Sequence, residues 1–159
     1  MTKRIVLLFL IFLNLATIFF FSQQTGKQSG ALSDGLSHQI EIRVPNYEVK
    51  DQGEKYMLHV VWRKQIRRLA HLLLFFILGI LVSLLLREYS FAWFRLVGGV
   101  LFGVLCSFLD EVHQLFVPGR TFQWYDIQND IEGYILGMLS CGFLFLLIHF
   151  IEKWRTKTI

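Results

Sequence analysis

Four long apolar runs constrain this chain more than any other feature. They cover residues 5–21, 69–86, 91–109 and 131–151, and each is long enough to cross a bilayer as a helix. The first, Ile5 to Phe21, is broken only by Asn14 and Thr17. At 1.5 Å per residue it extends roughly 25 Å, slightly short of a ~30 Å hydrocarbon layer. Elsewhere the polar groups stand near the ends: His71 in the second run, Arg95 in the third, Glu132 and His149 in the fourth. From there Arg95 and Glu132 reach the interface. None of the runs alternates with the two-residue period of barrel strands. The expected fold is all-α: one domain, 1–159, forming a four-helix transmembrane bundle. A 47-residue connection, Ser22 to Arg68, joins helices 1 and 2, and a polar helical hairpin joins helices 3 and 4.

Composition closes the alternatives. Apolar residues make up 54% and charged residues 18%, which is too oily for a soluble domain of this length or for a disordered chain. The net charge of +4 is read as bases flanking membrane spans, facing anionic lipid, and no nucleic acid is expected. Cys106 and Cys141 lie in apolar runs and read as small buried residues. Close helix contacts in a membrane favour small residues. The stripes Gly99/Gly103 on the third helix and Gly133/Gly137/Cys141 on the fourth are expected to pack on each other.

The connections differ in kind. Arg87 to Ser90 is a tight turn. In the long connection, Ile40 to Val44 alternates like a short strand. Tyr56 to Arg68 has helical spacing, and Trp62 with Arg63, Lys64, Arg67 and Arg68 makes it a candidate interfacial helix leading into the second span. Lys3 and Arg4 before the first run resemble the start of a signal peptide, but Ser22-Gln23-Gln24-Thr25-Gly26 has no small-x-small cleavage site, so an uncleaved anchor is expected. Basic residues divide seven against nine between the two sides, which decides nothing. Lys3 and Arg4 ahead of the first helix favour cytoplasmic N- and C-termini, with both long connections outside.

Residues 109–130 carry the unusual chemistry. If the third helix runs on past Leu109, Asp110, His113 and Gln114 share one face, and Glu111 points elsewhere. Pro118-Gly119 reverses the chain, Arg120 follows, and Asp126 or Asn129 can cap the next helix, with Asp130 one turn on. Ionisable groups beside hydrocarbon must pair or face water. In any four-span topology Arg67, Arg68 and His71 lie on the same side as this cluster, so one pocket can gather guanidinium, carboxylate and imidazole groups.

These residues resemble the VanZ-like membrane proteins. The similarity runs through Asp110-Glu111-Val-His113-Gln114-Leu-Phe-Val-Pro118-Gly119-Arg120, then Asp126, Asp130, Gly133 and Gly137. A second stretch is Ile66-Arg67-Arg68-Leu-Ala70-His71, ending at Leu78-Gly79; a weaker one is Ser22-x-Gln24, Ser29 and Ser33. Leu74-Phe75 stands where the family usually has Glu-Tyr, which marks a divergent member. The resemblance implies a four-helix integral protein of the bacterial plasma membrane. It also implies, as for some members, an association with lowered sensitivity to teicoplanin-type glycopeptides. It supplies no reaction.

Several functions fit the cluster. Arg67, Arg68 and Arg120 suit the phosphate of an envelope lipid or a lipid-linked cell-wall precursor, with His71, Gln114, Asp126 and Asp130 completing the site. Chemistry would fall to His113, oriented by Asp110 or Asp126, with Glu111 nearby; no nucleophile stands out. A metal could use Asp110, His113 and Glu111 or Asp130, but no second such motif and no nearby Cys supports it, so no metal and no cofactor is expected. A small oligomeric transporter or channel, and a hairpin that only stabilises the fold, remain the alternatives. His38, His59 and His149 are expected at the interface or in solvent. Trp124 either packs or stacks on a ligand. Oligomeric state is not readable.

Overall fold

Asp51 and Glu54 start the longest helix. The Asp51 carboxylate accepts the Glu54 N–H at 2.7 Å and the Glu54 carboxylate accepts the Asp51 N–H at 3.3 Å. This reciprocal cap satisfies two donors that the first helical turn leaves unpaired. The computed structural model describes residues 2–89 and 93–155, with the side chains of 26–33 outside the description. Among these residues the chain forms five α-helices: α1 (Thr2–Ser22), α2 (Gly26–Glu41), α3 (Gln52–Leu86), α4 (Gly99–Gln114) and α5 (Trp124–Arg155). A π-helical turn, Phe94–Gly98, leads into α4. The fold is all-α, and α1, α3, the α4 segment with its π-turn, and α5 are long and apolar enough to cross a membrane. Ser90 and Phe91, at the expected turn and the start of the third run, lie outside the described residues, as do the side chains of Ser29 and Ser33.

α3 is the hub. It packs against α1, α2, α4 and α5. With 35 residues it reaches roughly 52 Å, so its N-terminal half extends past any ~30 Å hydrocarbon layer. The segment Tyr56 to Arg68 is therefore not a separate helix but the first part of α3. α2 lies against it. The buried Glu41 carboxylate meets His59 Nδ1 at 2.9 Å, and Asp34 meets His59 Nε2 at 3.3 Å. His59, whose side chain is 30% exposed, thus ties α2 to α3. The strand expected at Ile40 to Val44 is absent. Ile40 and Glu41 end α2, and the N–H groups of Ile42, Arg43 and Val44 donate back to His38, Ile40 and Glu41. With no strand among the described residues to pair with, local turns satisfy that backbone.

The core holds Ile11 and Ile18 of α1, Phe75, Leu78 and Val82 of α3, and Tyr134 of α5. Around it the large apolar side chains point outward, with Phe12 and Phe143 each 68% exposed. That surface suits hydrocarbon and would be costly in water.

Glycines set the closest approaches, in a pairing other than the expected one. A Cβ at Gly133 or Gly137 would run into the α3 backbone at Leu72 or Phe76, and a Cβ at Gly79 would run into the carbonyl of Tyr134. The α5 stripe therefore meets α3, not the Gly99/Gly103 stripe. Those two glycines instead receive Met138 and the Tyr134 ring. The reason is volume: Tyr134 and Met138 fill the gap between α4 and α5, leaving backbone contact to α3.

Candidate functional site

Three helices and one loop bring the polar residues together at one end of the spans. α3 contributes Arg67, Arg68 and His71, one helical turn of one face. α4 contributes Asp110, Glu111 and Gln114 from its last turns, and α5 contributes Asp126, Asn129 and Asp130 from its first two. Asp126 and Asn129 lie inside α5, which starts at Trp124, so neither caps it.

Asp126 holds both arginines of α3. Arg67 Nη2 donates to Oδ2 and Arg68 Nε donates to Oδ1, each at 3.4 Å. The Arg68 guanidinium also lies 4.1 Å from the Tyr125 ring centroid. Asn129 Nδ2 donates to the Arg68 carbonyl at 3.0 Å. This bond gives Asn129 a role that helix-capping logic missed. The i, i+3 spacing from Asp126 was the signal for it.

Arg120 organises the other wall. Its Nη1 donates to Gln114 Oε1 at 3.2 Å, its Nε to the Gln24 carbonyl at 3.1 Å and its Nη2 to the Phe21 carbonyl at 3.4 Å. Gln114 Nε2 passes the chain on to Asp110 Oδ2 at 2.9 Å. Burial, and then the nearby Arg67 charge, pull the Arg120 pKa below its ordinary value; Asp110 opposes them. The guanidinium thus ties the end of α1 to the end of α4.

Between these walls His71 and Asp130 face the Asp110 carboxylate that Gln114 holds. His71 Nδ1 stands 3.8 Å from Asp110 Oδ2 and 3.9 Å from Asp130 Oδ1. Asp130 is 2% exposed, and its Oδ1 has no hydrogen-bond partner. Beside them is a cavity of ≈ 10 Å³ lined by Arg67, Arg68, His71, Gln114, Asp126, Asn129 and Asp130. That is about the space of one water molecule.

Two sequence candidates stand apart. His113 stacks on Phe19 of α1, centroids 4.3 Å apart, and its Nε2 is buried without a partner. Asp110 is bonded to Gln114 and Asp126 to the arginines, so neither orients His113. Glu111 does point elsewhere: its Oε1 accepts the Gln123 N–H at 2.7 Å, directly before α5. A carboxylate there complements the helix N-terminus. Trp124 is exposed and sits edge-on to Phe122. Ser107 adds an unanticipated tie, its hydroxyl donating to the Ile127 carbonyl at 3.2 Å.

A family model described as VanZ/LLP1 matches residues 6–148. The chain belongs to the VanZ/LLP1 family. No curated protein and no solved structure matches it. The family assignment and the four apolar helices together make this a multi-pass membrane protein. In this VanZ/LLP1 chain the Leu74-Phe75 departure lies one turn from His71 towards the core. Phe75 is fully buried there. The deep end of the polar site is therefore closed by packed hydrocarbon.

The opposite end is different. Lys3 and Arg4 pair with Glu88 at 3.3 and 3.6 Å. Beside them, Arg87, Arg95, Met138, Phe145 and His149 line a cavity of ≈ 570 Å³. This space in the VanZ/LLP1 chain lies away from its polar cluster.

Proposed function

We propose that this is a bacterial plasma-membrane protein whose polar site binds the phosphate of an envelope lipid or lipid-linked cell-wall precursor, lowering sensitivity to teicoplanin-type glycopeptides. Both termini are cytoplasmic in this reading and the site faces outward. One observation carries it: two adjacent guanidinium groups share the single carboxylate of Asp126 at 3.4 Å. Charge-assisted bonds are usually nearer 2.7–2.9 Å. A phosphate brings more oxygens and more charge, so it competes well for that position. Arg67 keeps a quarter of its side chain exposed, which gives a headgroup access from the membrane edge. Asp126 then acts as an internal stand-in that swings away when the ligand enters. This reading includes no bond-breaking step. A transporter is less favoured, because Phe75, Leu78 and Tyr134 are packed directly beneath His71.

The test is lipid binding by the purified protein in detergent, with lipid-linked precursor and ordinary anionic phospholipid as probes. Replacing Arg67 and Arg68 together with Ala should weaken binding at least tenfold and remove any glycopeptide tolerance. Asp126→Asn should leave binding equal or tighter. Loss of binding in folded D126N protein would instead make the ion pairs a structural hinge.

A further inference from the structure

We infer that His71, Asp110 and Asp130 form a divalent-cation site between α3, α4 and α5. Each residue offers one ligand atom, and these atoms all lie within 4.8 Å of one another. His71 Nδ1 is 3.8 Å from Asp110 Oδ2 and 3.9 Å from Asp130 Oδ1. At a tetrahedral centre with bonds of about 2.0–2.1 Å, neighbouring ligand atoms stand about 3.3 Å apart. Closing the two His71–carboxylate gaps takes roughly half an ångström each, within the reach of side-chain rotation, and the two carboxylates lie within 4.8 Å of each other.

The second observation is the state of Asp130. Its side chain is 97% buried, and its Oδ1, the atom nearest His71, has no hydrogen-bond donor. Buried carboxylates are paired, hydrogen-bonded or bound to metal. The nearby cations do not serve this one: Arg67 and Arg68 are bonded to Asp126, and Arg120 to Gln114 and two carbonyls. Asp130 Oδ1 is thus left facing His71 and Asp110 with no donor of its own, a place that a cation can fill. The adjoining ≈ 10 Å³ cavity leaves room for about one water as a further ligand.

The donors indicate the kind of ion. One imidazole and two carboxylates suit Zn²⁺ or Mn²⁺; a thiol-free set is wrong for Cu(I), and Ca²⁺ needs six to eight oxygens. An outer shell is also present. Gln114 donates to Asp110, and Arg120 holds Gln114, which would fix the orientation of that carboxylate. The metal set weighed from the sequence paired Asp110 with His113 along one helix, and no metal was expected because no second such motif and no nearby Cys accompanied it. The imidazole in place is His71, supplied by a different helix. None of these three ligands is among the Arg67, Arg68 and Asp126 groups that carry the lipid reading, although both sets border the same small cavity.

The experiment uses the full chain in detergent, stripped with chelator and reloaded with Mn²⁺. The expected result is one tightly bound Mn²⁺ per chain, displaced by Zn²⁺, with ¹⁴N coupling from an imidazole in pulsed electron paramagnetic resonance. Asp130→Asn, which keeps the shape of the side chain, should weaken Mn²⁺ at least tenfold. Gln114→Ala should weaken it about 10–100-fold through the outer shell. Arg67→Ala removes a positive charge beside the cation, so it should not weaken Mn²⁺ while lowering lipid binding, which separates the two readings. Absence of stoichiometric Mn²⁺ or Zn²⁺ in the folded wild-type protein overturns the site. So does bound Mn²⁺ without imidazole coupling. Retention of full affinity in D130N overturns it without relying on any variant that fails to fold.

Discussion

The Tyr134 hydroxyl donates to the Gly99 carbonyl at 2.8 Å, across the gap between α5 and α4. The same ring lies where a Cβ on Gly103 would have to be, and the Tyr134 carbonyl lies where a Cβ on Gly79 would be. One residue of α5 thus locks α4 through its side chain and α3 through its backbone. Both spans that carry acids of the polar site, α4 and α5, are held in register this way.

Tyr134→Phe removes that bond and leaves the Gly99 carbonyl without it in an apolar setting. The expected cost is about 1–3 kcal/mol. Gly103→Leu should be worse, because it displaces the ring itself. Thermal unfolding in detergent should rank wild type above Y134F, and Y134F above G103L.

Gly137 and Gly142 lie on one helix and should respond in opposite ways. A Cβ at Gly137 overlaps the Phe76 carbonyl of α3, whereas a Cβ at Gly142 meets nothing within 4 Å. Gly137→Ala should lower the unfolding temperature and force α3 and α5 apart. Gly142→Ala should be neutral or stabilising by up to ~1 kcal/mol, as helix propensity alone predicts. Equal effects at both positions would mean that α3 and α5 do not approach backbone to backbone.

Arg120 binds two carbonyls of the α1 end and one glutamine of α4. Arg120→Ala should cost about 1–3 kcal/mol by leaving the part-buried Gln24 carbonyl and Gln114 Oε1 without this donor. Arg120→Lys should not rescue it, since an ammonium group lacks the planar fork that reaches three directions. Protease sensitivity of the α1–α2 junction, near Thr25, provides the local readout. Full protection in R120A would contradict the tie.

Glu88 gives a pH-dependent contact at the other end. A hydrogen bond from Lys3, supported by its charge and that of Arg4, holds the Glu88 carboxyl below the ordinary 4.5. A depressed folded-state pKa adds stability that is present above about 4.5 and lost as the pH falls through the lower folded value. The contribution is small, because Glu88 is solvated. Wild type should therefore exceed Glu88→Gln slightly at pH 7, and the gap should close below about pH 4. A gap that widened on acidification would reverse the sign.

Periodicity and hydropathy were enough to place four apolar helices and the all-α class, since a 3.6-residue repeat and oil content are local properties. The parity of the spans likewise puts Arg67, Arg68 and His71 on the side of Asp110 and Asp130, because an even number of crossings cannot do otherwise. The α2 helix and the start of α3 were harder to see. α2 depends on Glu41 and Asp34 meeting His59, a long-range contact.

Which imidazole meets which carboxylate was decided only by tertiary packing. His113 and Asp110 are three residues apart, and helix geometry alone makes them neighbours. Rotation of α4 about its axis turns Asp110 and Gln114 inward and leaves His113 against Phe19. That rotation is set by Tyr134 seated on Gly99 and Gly103, and by α5 glycines seated on α3. Side-chain volume between helices determines it, and no local pattern in the chain encodes that quantity.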